Sequence, residues 1–253
     1  MSEGLTLVTS FYNHYDRFLS KWIDSVLSST QLPDEIILLV SGDQYDPSLI
    51  REAEDKLEGK VPYKTVYRPH LSMGKARNNG VKEASGEWIM YLNVDDELIS
   101  LGIERIKKSI GPDCDILIGD MIWEGKPPLD GIKRYKITRE SILAGKQTND
   151  HSSYRKSFWE KSPYIEYSGD VDMAFWLGLV MEGARIKSIQ KVLTKHLFRP
   201  DAVFAKYSVE DRQEIRRMIK IWRKEGVHSK RFDGPEYLPE GDYNFKHETK
   251  VLE

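Results

Sequence analysis

The sequence lacks the features that mark several broad classes of protein. Cys114 is its single cysteine, which excludes an internal disulfide framework and a multi-cysteine zinc site. No apolar run approaches the length of a membrane span, and the N-terminal residues do not match a signal peptide. The cytoplasm is therefore the expected compartment, and Cys114 is expected to be a small core residue.

The chain also has no excess of charge of one sign. Its 38 Lys and Arg residues nearly balance its 40 Asp and Glu residues, which gives a formal net charge of −2. Bulk charge therefore does not predict a polyanionic partner. With 253 residues, of which 40% are hydrophobic, the chain is long enough to bury one substantial core.

Short apolar runs alternate with helical patterns along the chain. The runs predict strands over residues 5–9, 35–40, 63–67, 88–92, 115–119, 132–137, 184–189 and 192–198. Apolar spacing predicts helices over residues 15–29, 47–57, 74–84, 101–110, 171–182 and 208–225, and a polar stretch covers 147–154. The alternation favours an α/β fold, with a Rossmann-like, mostly parallel sheet flanked by helices and a C-terminal helical extension.

Polar residues follow the buried strand at 88–92. Asn93 and Asp95 point the same way if the strand continues through them, and ligands of open α/β sheets bind beyond the carboxyl ends of strands. Oxygen ligands at this spacing suit a Mn²⁺ or Mg²⁺ ion that bridges phosphates. Lys75 and Arg77, on the preceding helix, are suited to neutralise a diphosphate. The alternative interpretation is a solvated, acid-rich loop.

Three segments in this order resemble family 2 glycosyltransferases. They are Ser10-Phe11-Tyr12-Asn13 after the first strand, the 74–80 segment, and the strand that closes in Asn93-Val94-Asp95-Asp96. The resemblance implies the glycosyltransferase A fold and inverting transfer of a sugar from a nucleotide diphosphate donor, expected to be UDP-linked, to a hydroxyl of a carbohydrate or other acceptor. It also implies a catalytic domain over 1–200, with a nucleotide-sugar half over 1–100 and an acceptor half over 101–200. A helix and polar tail would follow over 201–253.

The resemblance also implies which residues hold the donor. Ser10, Phe11 and Tyr12 would contact the base, together with either Ser41 or Asp43, because the usual acidic motif at the end of the second strand is altered here. The other donor contacts would be Lys75, Arg77, Asn78, Asn93, Val94 and Asp95. A divalent ion, Mn²⁺ or Mg²⁺, would be held directly by Asp95, with Asn93 and His196 as further ligands. Asn93 replaces the first acid of the usual Asp-x-Asp motif.

A second pair of segments, 154–159 and 167–173, resembles the acceptor half of the same family. There Asp172 would be the catalytic base, with Asp170 as the alternative. A carboxylate suits this role because the attacking hydroxyl must lose its proton. Either residue also suits a purely structural role at a helix N-terminus.

Three further features leave alternatives open. The resemblance implies that His196 or Arg199 touches metal or phosphate, because relatives often carry a histidine or basic residue here. A lone histidine, however, is more often structural. The His151-Ser152-Ser153 segment fits either a sugar contact or a surface turn. The helix at 208–225 is basic, which fits a solvated face or contact with an anionic membrane surface or nucleic acid.

Two other functions compete with glycosyl transfer. A sugar nucleotidyltransferase would carry a Gly-rich, basic loop after the first strand, where this chain has Phe11-Tyr12-Asn13-His14. A non-catalytic module that binds nucleotides or carbohydrates is favoured by the altered residues Ser41 and Asn93.

Overall fold

The computed structural model describes residues 4–12, 14–125, 127, 130–144, 149–166 and 171–199. These residues form nine strands and seven α-helices. The strands are β1 (Leu5–Phe11), β2 (Glu35–Ser41), β3 (Tyr63–Arg68), β4 (Trp88–Tyr91), β5 (Glu97–Leu98), β6 (Ile116–Glu124), β7 (Gly131–Lys133), β8 (Ser153–Arg155) and β9 (Ile186–Leu197). The helices are α1 (Leu19–Leu27), α2 (Pro47–Leu57), α3 (Met73–Glu83), α4 (Gly102–Lys107), α5 (Arg139–Leu143), α6 (Lys156–Lys161) and α7 (Val171–Met181), with a 3₁₀ helix at Tyr15–Phe18.

The nine strands form one sheet in the order β3-β2-β1-β4-β8-β6-β9-β5, and β7 pairs with β6 outside this path. Strands β3, β2, β1 and β4 are parallel to one another. Strand β8 is antiparallel to both of its neighbours, β4 and β6, whereas β6 and β9 are parallel. As a result, the carboxyl ends of β1, β4 and β9 and the amino end of β8 meet at one edge of the sheet.

Helices cover both faces of the sheet, and the central strands supply side chains to each face in turn. In β1, Val8 packs on the α3 and α7 side, whereas Leu7 packs on the side of α1 and α2. In β2, Ile37 and Ile36 divide between the same two clusters. The uninterrupted apolar sequence of these strands therefore reflects burial on both faces.

Local sequence signals set several helix ends. The Asp46 side chain accepts a hydrogen bond from the backbone N–H of Ser48 at 2.8 Å, and Pro47 begins α2. Ser72 caps α3 in the same way. After α7, Gly183 has a φ of 90°, a left-handed conformation that glycine adopts without a steric penalty. The helix predicted over 171–182 is thus confirmed as α7, which ends at Met181 just before this glycine.

The structure corrects three expectations. The two strands predicted at 184–189 and 192–198 are one strand, β9, because register shifts opposite Asp120 accommodate its polar middle. The polar stretch at 147–154 contributes most of strand β8, which inserts between β4 and β6. Strand β4 ends at Tyr91, and a turn closed by the Asp96 N–H and the Asn93 carbonyl (3.1 Å) follows, so the strand does not continue through Asn93 and Asp95.

The basic helix predicted at 208–225 and the polar tail lie outside the described residues. The helices that the structure does describe include none with the length and apolar character needed to cross a membrane. The proposed division into a domain over 1–200 and an extension over 201–253 stays a prediction.

Gly80 allows α3 to pack closely on β1, because a Cβ at this position would lie 2.6 Å from Cγ1 of Val8. Alanine is favoured over glycine inside a helix by about 1 kcal/mol, but overpacking against a stiff, β-branched side chain costs about 1–3 kcal/mol. We expect Gly80→Ala to lower the free energy of unfolding, measured by urea denaturation. Lys82→Ala, at an exposed position of the same helix, should change it by no more than about 0.5 kcal/mol. A higher free energy of unfolding for Gly80→Ala would contradict this, because it would show that α3 and β1 accommodate the added methyl group without a penalty.

Candidate active site

Charged side chains from distant parts of the chain converge at the edge where β1, β4, β8 and β9 meet. The turn after β4 supplies Asp95 and Asp96, and the residues before β8 supply His151. The end of β9 supplies His196, and the first turn of α7 supplies Asp172. The parallel topology therefore concentrates these ionisable groups at the edge where α/β proteins bind their ligands.

Asp96 is the centre of a cluster with His151, which is buried, and His196, which is partly exposed. One carboxylate oxygen of Asp96 lies 2.9 Å from Nε2 of His151, and the other lies 2.9 Å from Nδ1 of His196. The potential ligand atoms of the three residues all lie within 4.8 Å of one another. Asp96 also accepts a hydrogen bond from the Leu197 N–H at 3.0 Å, which ties the turn after β4 to the end of β9.

The charges of this cluster support one another. Burial opposes ionisation of Asp96, but the two histidines outweigh it and hold the pKa of that carboxyl well below its usual range. Burial lowers the pKa of His151, yet the carboxylates of Asp150 and Asp96 outweigh this effect and raise it to about 9. The pKa of His196 is also raised, since Asp96 again outweighs the effect of burial. Without a metal ion, Asp96 and His151 therefore form a buried ion pair at neutral pH.

The donor set of the cluster fits a divalent metal ion. Nδ1 of His196 is buried and lies 2.9 Å from the Asp96 carboxylate, its ionic partner in the metal-free protein. When the imidazole is neutral, this nitrogen can offer a lone pair to a metal ion beside that carboxylate. Nδ1 of His151, by contrast, lies 3.1 Å from the Thr194 hydroxyl, a contact of the kind that orients metal-binding imidazoles. Two imidazoles and a carboxylate suit Mn²⁺ and later transition ions better than Mg²⁺.

Asn93 connects the cluster to neighbouring charges. Its amide nitrogen donates to Asp96 at 3.1 Å and to Asp150 at 3.3 Å, and it lies 3.2 Å from Nε2 of His151. Its amide oxygen accepts a hydrogen bond from Arg77 at 3.4 Å. Asn93, predicted as a metal ligand, thus bridges three charged side chains.

Asp95, predicted as the direct metal ligand, has a different partner from Asp96. Its carboxylate forms an ion pair with Arg199, whose guanidinium also lies 4.0 Å from the ring centre of Phe18 and 5.2 Å from that of Tyr15. Burial and the neighbouring Asp96 raise the pKa of Asp95, and Arg199 opposes that shift. Val94, between the turn and the core, is buried and packs on the side of α1. The roles predicted for Asp95 and Val94 stay predictions.

Asp172, the predicted base, forms an ion pair with Arg77. Its side chain is 25% exposed, whereas that of Arg77 is 4% exposed. Burial and the charge of Asp150 raise the pKa of Asp172 to about 6, although Arg77 opposes the shift. Such a carboxylate is ionised at neutral pH and still close enough to that pH to accept a proton. Asp170, the alternative base, lies outside the described residues.

The residues predicted to contact the base lie at the carboxyl end of β1. The hydroxyl of Ser10 forms a hydrogen bond with the hydroxyl of Tyr91, and Phe11 is buried in the core. Tyr12 stacks on Tyr15, with 5.8 Å between the ring centres, and its edge-to-face contact with His70 measures 5.5 Å. Tyr12 therefore belongs to a small aromatic cluster, which is suited to hold a planar base.

Ser41 and Asp43, the two alternatives at the end of β2, differ in their surroundings. Ser41 is buried, and its hydroxyl accepts a hydrogen bond from the Leu71 N–H at 2.8 Å, so it holds the segment before α3. Asp43 is exposed, and Gly42 before it has a φ of 92°, which redirects the chain beyond the sheet. Of the two, Asp43 has the side chain accessible to a ligand.

Lys75 and Asn78 were predicted to contact the donor from α3. Lys75 is exposed, and its ammonium group lies 3.9 Å from Glu166. Asn78 donates to the Tyr164 carbonyl at 2.8 Å and accepts from the Tyr164 N–H and the Trp159 indole, both at 2.9 Å. Asn78 is therefore engaged with the chain around residues 159–164, and its predicted ligand role is untested.

Sequence reasoning missed the part that Asp96 and His151 play. His151 is fully buried, so the interpretation of its segment as a surface turn was wrong. The available signal was the second acid directly after Asp95, together with His196 near the end of a predicted strand and His151 in the polar stretch. Only the insertion of β8 beside β4 brings His151 to Asp96.

Comparison with known proteins identifies the relatives of the chain. The sequence profile of glycosyl transferase family 2 matches residues 6–162. A Haemophilus influenzae protein described as an uncharacterised glycosyltransferase is 22% identical over 234 residues, which cover 87% of this chain and 85% of the relative. Glycosyltransferase GlyA of Streptococcus pneumoniae is 22% identical over 121 residues, which cover 47% of this chain but 17% of GlyA.

Solved structures with the same fold include S. aureus TarS in complex with UDP-GlcNAc. That match has a TM-score of 0.68 at 18% identity and covers 86% of this chain and 66% of the TarS chain. Mannosyltransferase PcManGT from Pyrobaculum calidifontis, in complex with GDP-Man and Mn²⁺, gives a TM-score of 0.60 at 14% identity. This match covers 79% of this chain and 58% of the PcManGT chain. The predicted α/β fold with a mostly parallel sheet, of glycosyltransferase A type, is confirmed.

The His151–Asp96 ion pair makes the stability of the metal-free protein depend on pH. The pKa of His151 is raised in the folded state from 6.5 to about 9, so its stabilisation is complete below pH 6.5 and is lost as the pH rises through 9. Between pH 6.5 and 9.5 we expect the free energy of unfolding to fall by on the order of 3 kcal/mol more in the wild type than in His151→Gln. This magnitude follows because one pKa unit corresponds to about 1.4 kcal/mol. Urea denaturation in EDTA measures this difference. Parallel losses in both proteins would contradict the ion pair.

Proposed function

The chain belongs to glycosyl transferase family 2, and from that premise we propose that it transfers a sugar from a UDP-linked donor to an acceptor hydroxyl with inversion. The observation that carries this proposal is the contact of one arginine with both halves of the site. Arg77 pairs with Asp172 and also donates to Asn93, which itself contacts Asp96. A candidate base and a candidate metal cluster therefore belong to one connected site.

Asp172 is the general base of the proposed reaction. As the acceptor oxygen attacks the anomeric carbon, its proton passes to the Asp172 carboxylate. The bond between that carbon and the diphosphate oxygen breaks, and the nucleoside diphosphate leaves with the bonding electrons. The partial exposure of Asp172 and its pKa of about 6 suit this role, because the carboxylate is ionised at neutral pH and accessible to an acceptor.

Asp96, His151 and His196 are the residues that we propose would hold a divalent ion, Mn²⁺ in preference to Mg²⁺. Such an ion, when bound, compensates the charge of a leaving diphosphate. Asp95 and Asn93 remain further candidate ligands beside this cluster. Because Asp95 is paired with Arg199, a metal ion bound by this carboxylate would share it with that guanidinium.

The UDP-linked donor is supported by the UDP-GlcNAc complex of TarS, and the GDP-Man complex of PcManGT marks the alternative. In this chain the aromatic group of Tyr12, Tyr15 and His70 and the exposed Asp43 are the proposed contacts of the base. Thermal-shift measurements with UDP, GDP and their sugars, each with Mn²⁺, would separate these donors.

Substitution of Asp172 tests the proposed base. Asp172→Asn keeps the shape of the side chain but removes its basicity, so we expect transfer to fall by about 10²–10⁴-fold while the affinity for UDP with Mn²⁺ changes little. Release of UDP, measured with and without acceptor, and titration calorimetry provide the two readouts. In the wild type, kcat should fall below about pH 6, as Asp172 becomes protonated. Full activity of Asp172→Asn would remove this residue from the mechanism.

Metal binding is tested independently of catalysis. We expect calorimetry with MnCl₂ to detect one site in the wild type, and His151→Ala and His196→Ala each to weaken binding by about tenfold or more. Binding should release protons, because both imidazoles must be neutral to act as ligands. Asp95→Asn is the matched comparison. A larger loss for Asp95→Asn than for the histidine variants would assign the ion to Asp95 instead.

A further inference from the structure

The guanidinium of Arg77 is enclosed on every side that the structure describes. Its carbon lies 4.7 Å from the ring centre of Tyr91 and 5.4 Å from that of Tyr164. One terminal nitrogen contacts Asp172, and the other donates to Asn93 at 3.4 Å. With 4% of its side chain exposed, Arg77 is held in a slot between α3, β4 and α7.

The walls of this slot are themselves fixed. Asn78, the next residue on α3, binds both backbone groups of Tyr164, and the Tyr164 ring stacks on Phe175 of α7 with 3.8 Å between centres. Tyr91, on the other side, is buried and hydrogen-bonded to Ser10 at the end of β1. The orientation of the guanidinium is therefore set by packing from three elements, which leaves it little rotational freedom.

We propose that Arg77 is a positioning residue that fixes the carboxylate of Asp172 for proton transfer, and that it does not bind the donor diphosphate. This inference rests on the function proposed above. The guanidinium of Arg77 holds one carboxylate oxygen of Asp172 through a charge-assisted hydrogen bond. The Asp172 side chain as a whole stays partly exposed to solvent. A general base is efficient only when its accepting oxygen is held at the position of the transferred proton.

The burial of Arg77 argues against its implied role as a phosphate ligand. The slot is closed by two aromatic rings, and the charge of Arg77 is already countered by Asp172. A diphosphate would have to displace that carboxylate, and Asp172 would then lose the cation that stabilises its charge. Lys75, two residues earlier on α3 and 51% exposed, is more accessible to a diphosphate than Arg77 is.

Arg77 also has a structural function, which the test must separate from positioning. Removing one partner of a buried ion pair destabilises a protein more than removing both. A cycle of Arg77→Met, Asp172→Asn and the double variant, followed by thermal unfolding, should therefore show that the double variant melts at a higher temperature than Arg77→Met. This readout requires no activity, so it reports on the ion pair even if the proposed function fails.

Kinetics then decide the role. The substrate for these measurements is whichever of UDP-GlcNAc, UDP-glucose and UDP-galactose the wild type hydrolyses fastest in the presence of Mn²⁺. We expect Arg77→Met to lower kcat by at least about 30-fold and to leave the dissociation constant of UDP with Mn²⁺ within about threefold. Arg77→Lys should have a higher kcat than Arg77→Met, because lysine keeps the positive charge although it lacks the planar guanidinium. The double variant should be no slower than Asp172→Asn, since the two residues act as a unit.

Three outcomes would overturn the inference. An increase of about tenfold or more in the dissociation constant of UDP with kcat unchanged would make Arg77 a diphosphate ligand. A double variant slower than Asp172→Asn would show that Arg77 acts independently of Asp172, as would the absence of coupling in the unfolding cycle. If Arg77→Met does not fold, Arg77→Lys and the double variant still give these comparisons. Lys82→Met, exposed on the same helix, is the control that should leave both readouts unchanged. A wild type that hydrolyses none of these three donors would count against the UDP-linked donor of the proposed function instead.

Discussion

The site depends on the compensation of four carboxylates that meet at one end of the sheet. Asp95, Asp96, Asp150 and Asp172 lie close together, and like charges in a buried site raise one another's pKa values unless cations intervene. The structure supplies those cations one by one. Asp96 lies between two histidines, Asp172 pairs with Arg77, and Asp95 pairs with Arg199. Asp150 lies 3.8 Å from Nε2 of His151. The position of each acid is therefore defined by its partner.

These partners divide the acids into two chemical kinds. The two histidines hold the pKa of Asp96 well below its usual range, so Asp96 is ionised at neutral pH and suits a metal ligand. The pKa of Asp172 is raised to about 6, so that carboxylate exchanges a proton near neutral pH. Separation of the pKa values of neighbouring carboxyls by their environments is how one site provides both a fixed charge and a base.

The alternation of apolar strands and helices predicted most of the fold, because strands buried on both faces carry long apolar runs such as the one in β2. The site was predicted only where local motifs carry it. Asp172 and Arg77 were singled out separately, but they are 95 residues apart in sequence, and no local pattern reports their contact. The sequence does not decide between the two interpretations of His151, because β8 consists of three residues in a polar stretch. Pairing with both β4 and β6 determines its place.

Asn93 explains how so many acids remain compatible. At this position the family motif usually has an aspartate, and its absence gave weight to a non-catalytic binding module. In the structure the Asn93 amide nitrogen donates to Asp96 and Asp150, and its oxygen accepts from Arg77. A carboxylate has no proton to donate at neutral pH, so it would add a fifth negative charge that faces two others. The neutral residue is therefore the one that this arrangement of charges requires, and its presence is consistent with a catalytic site.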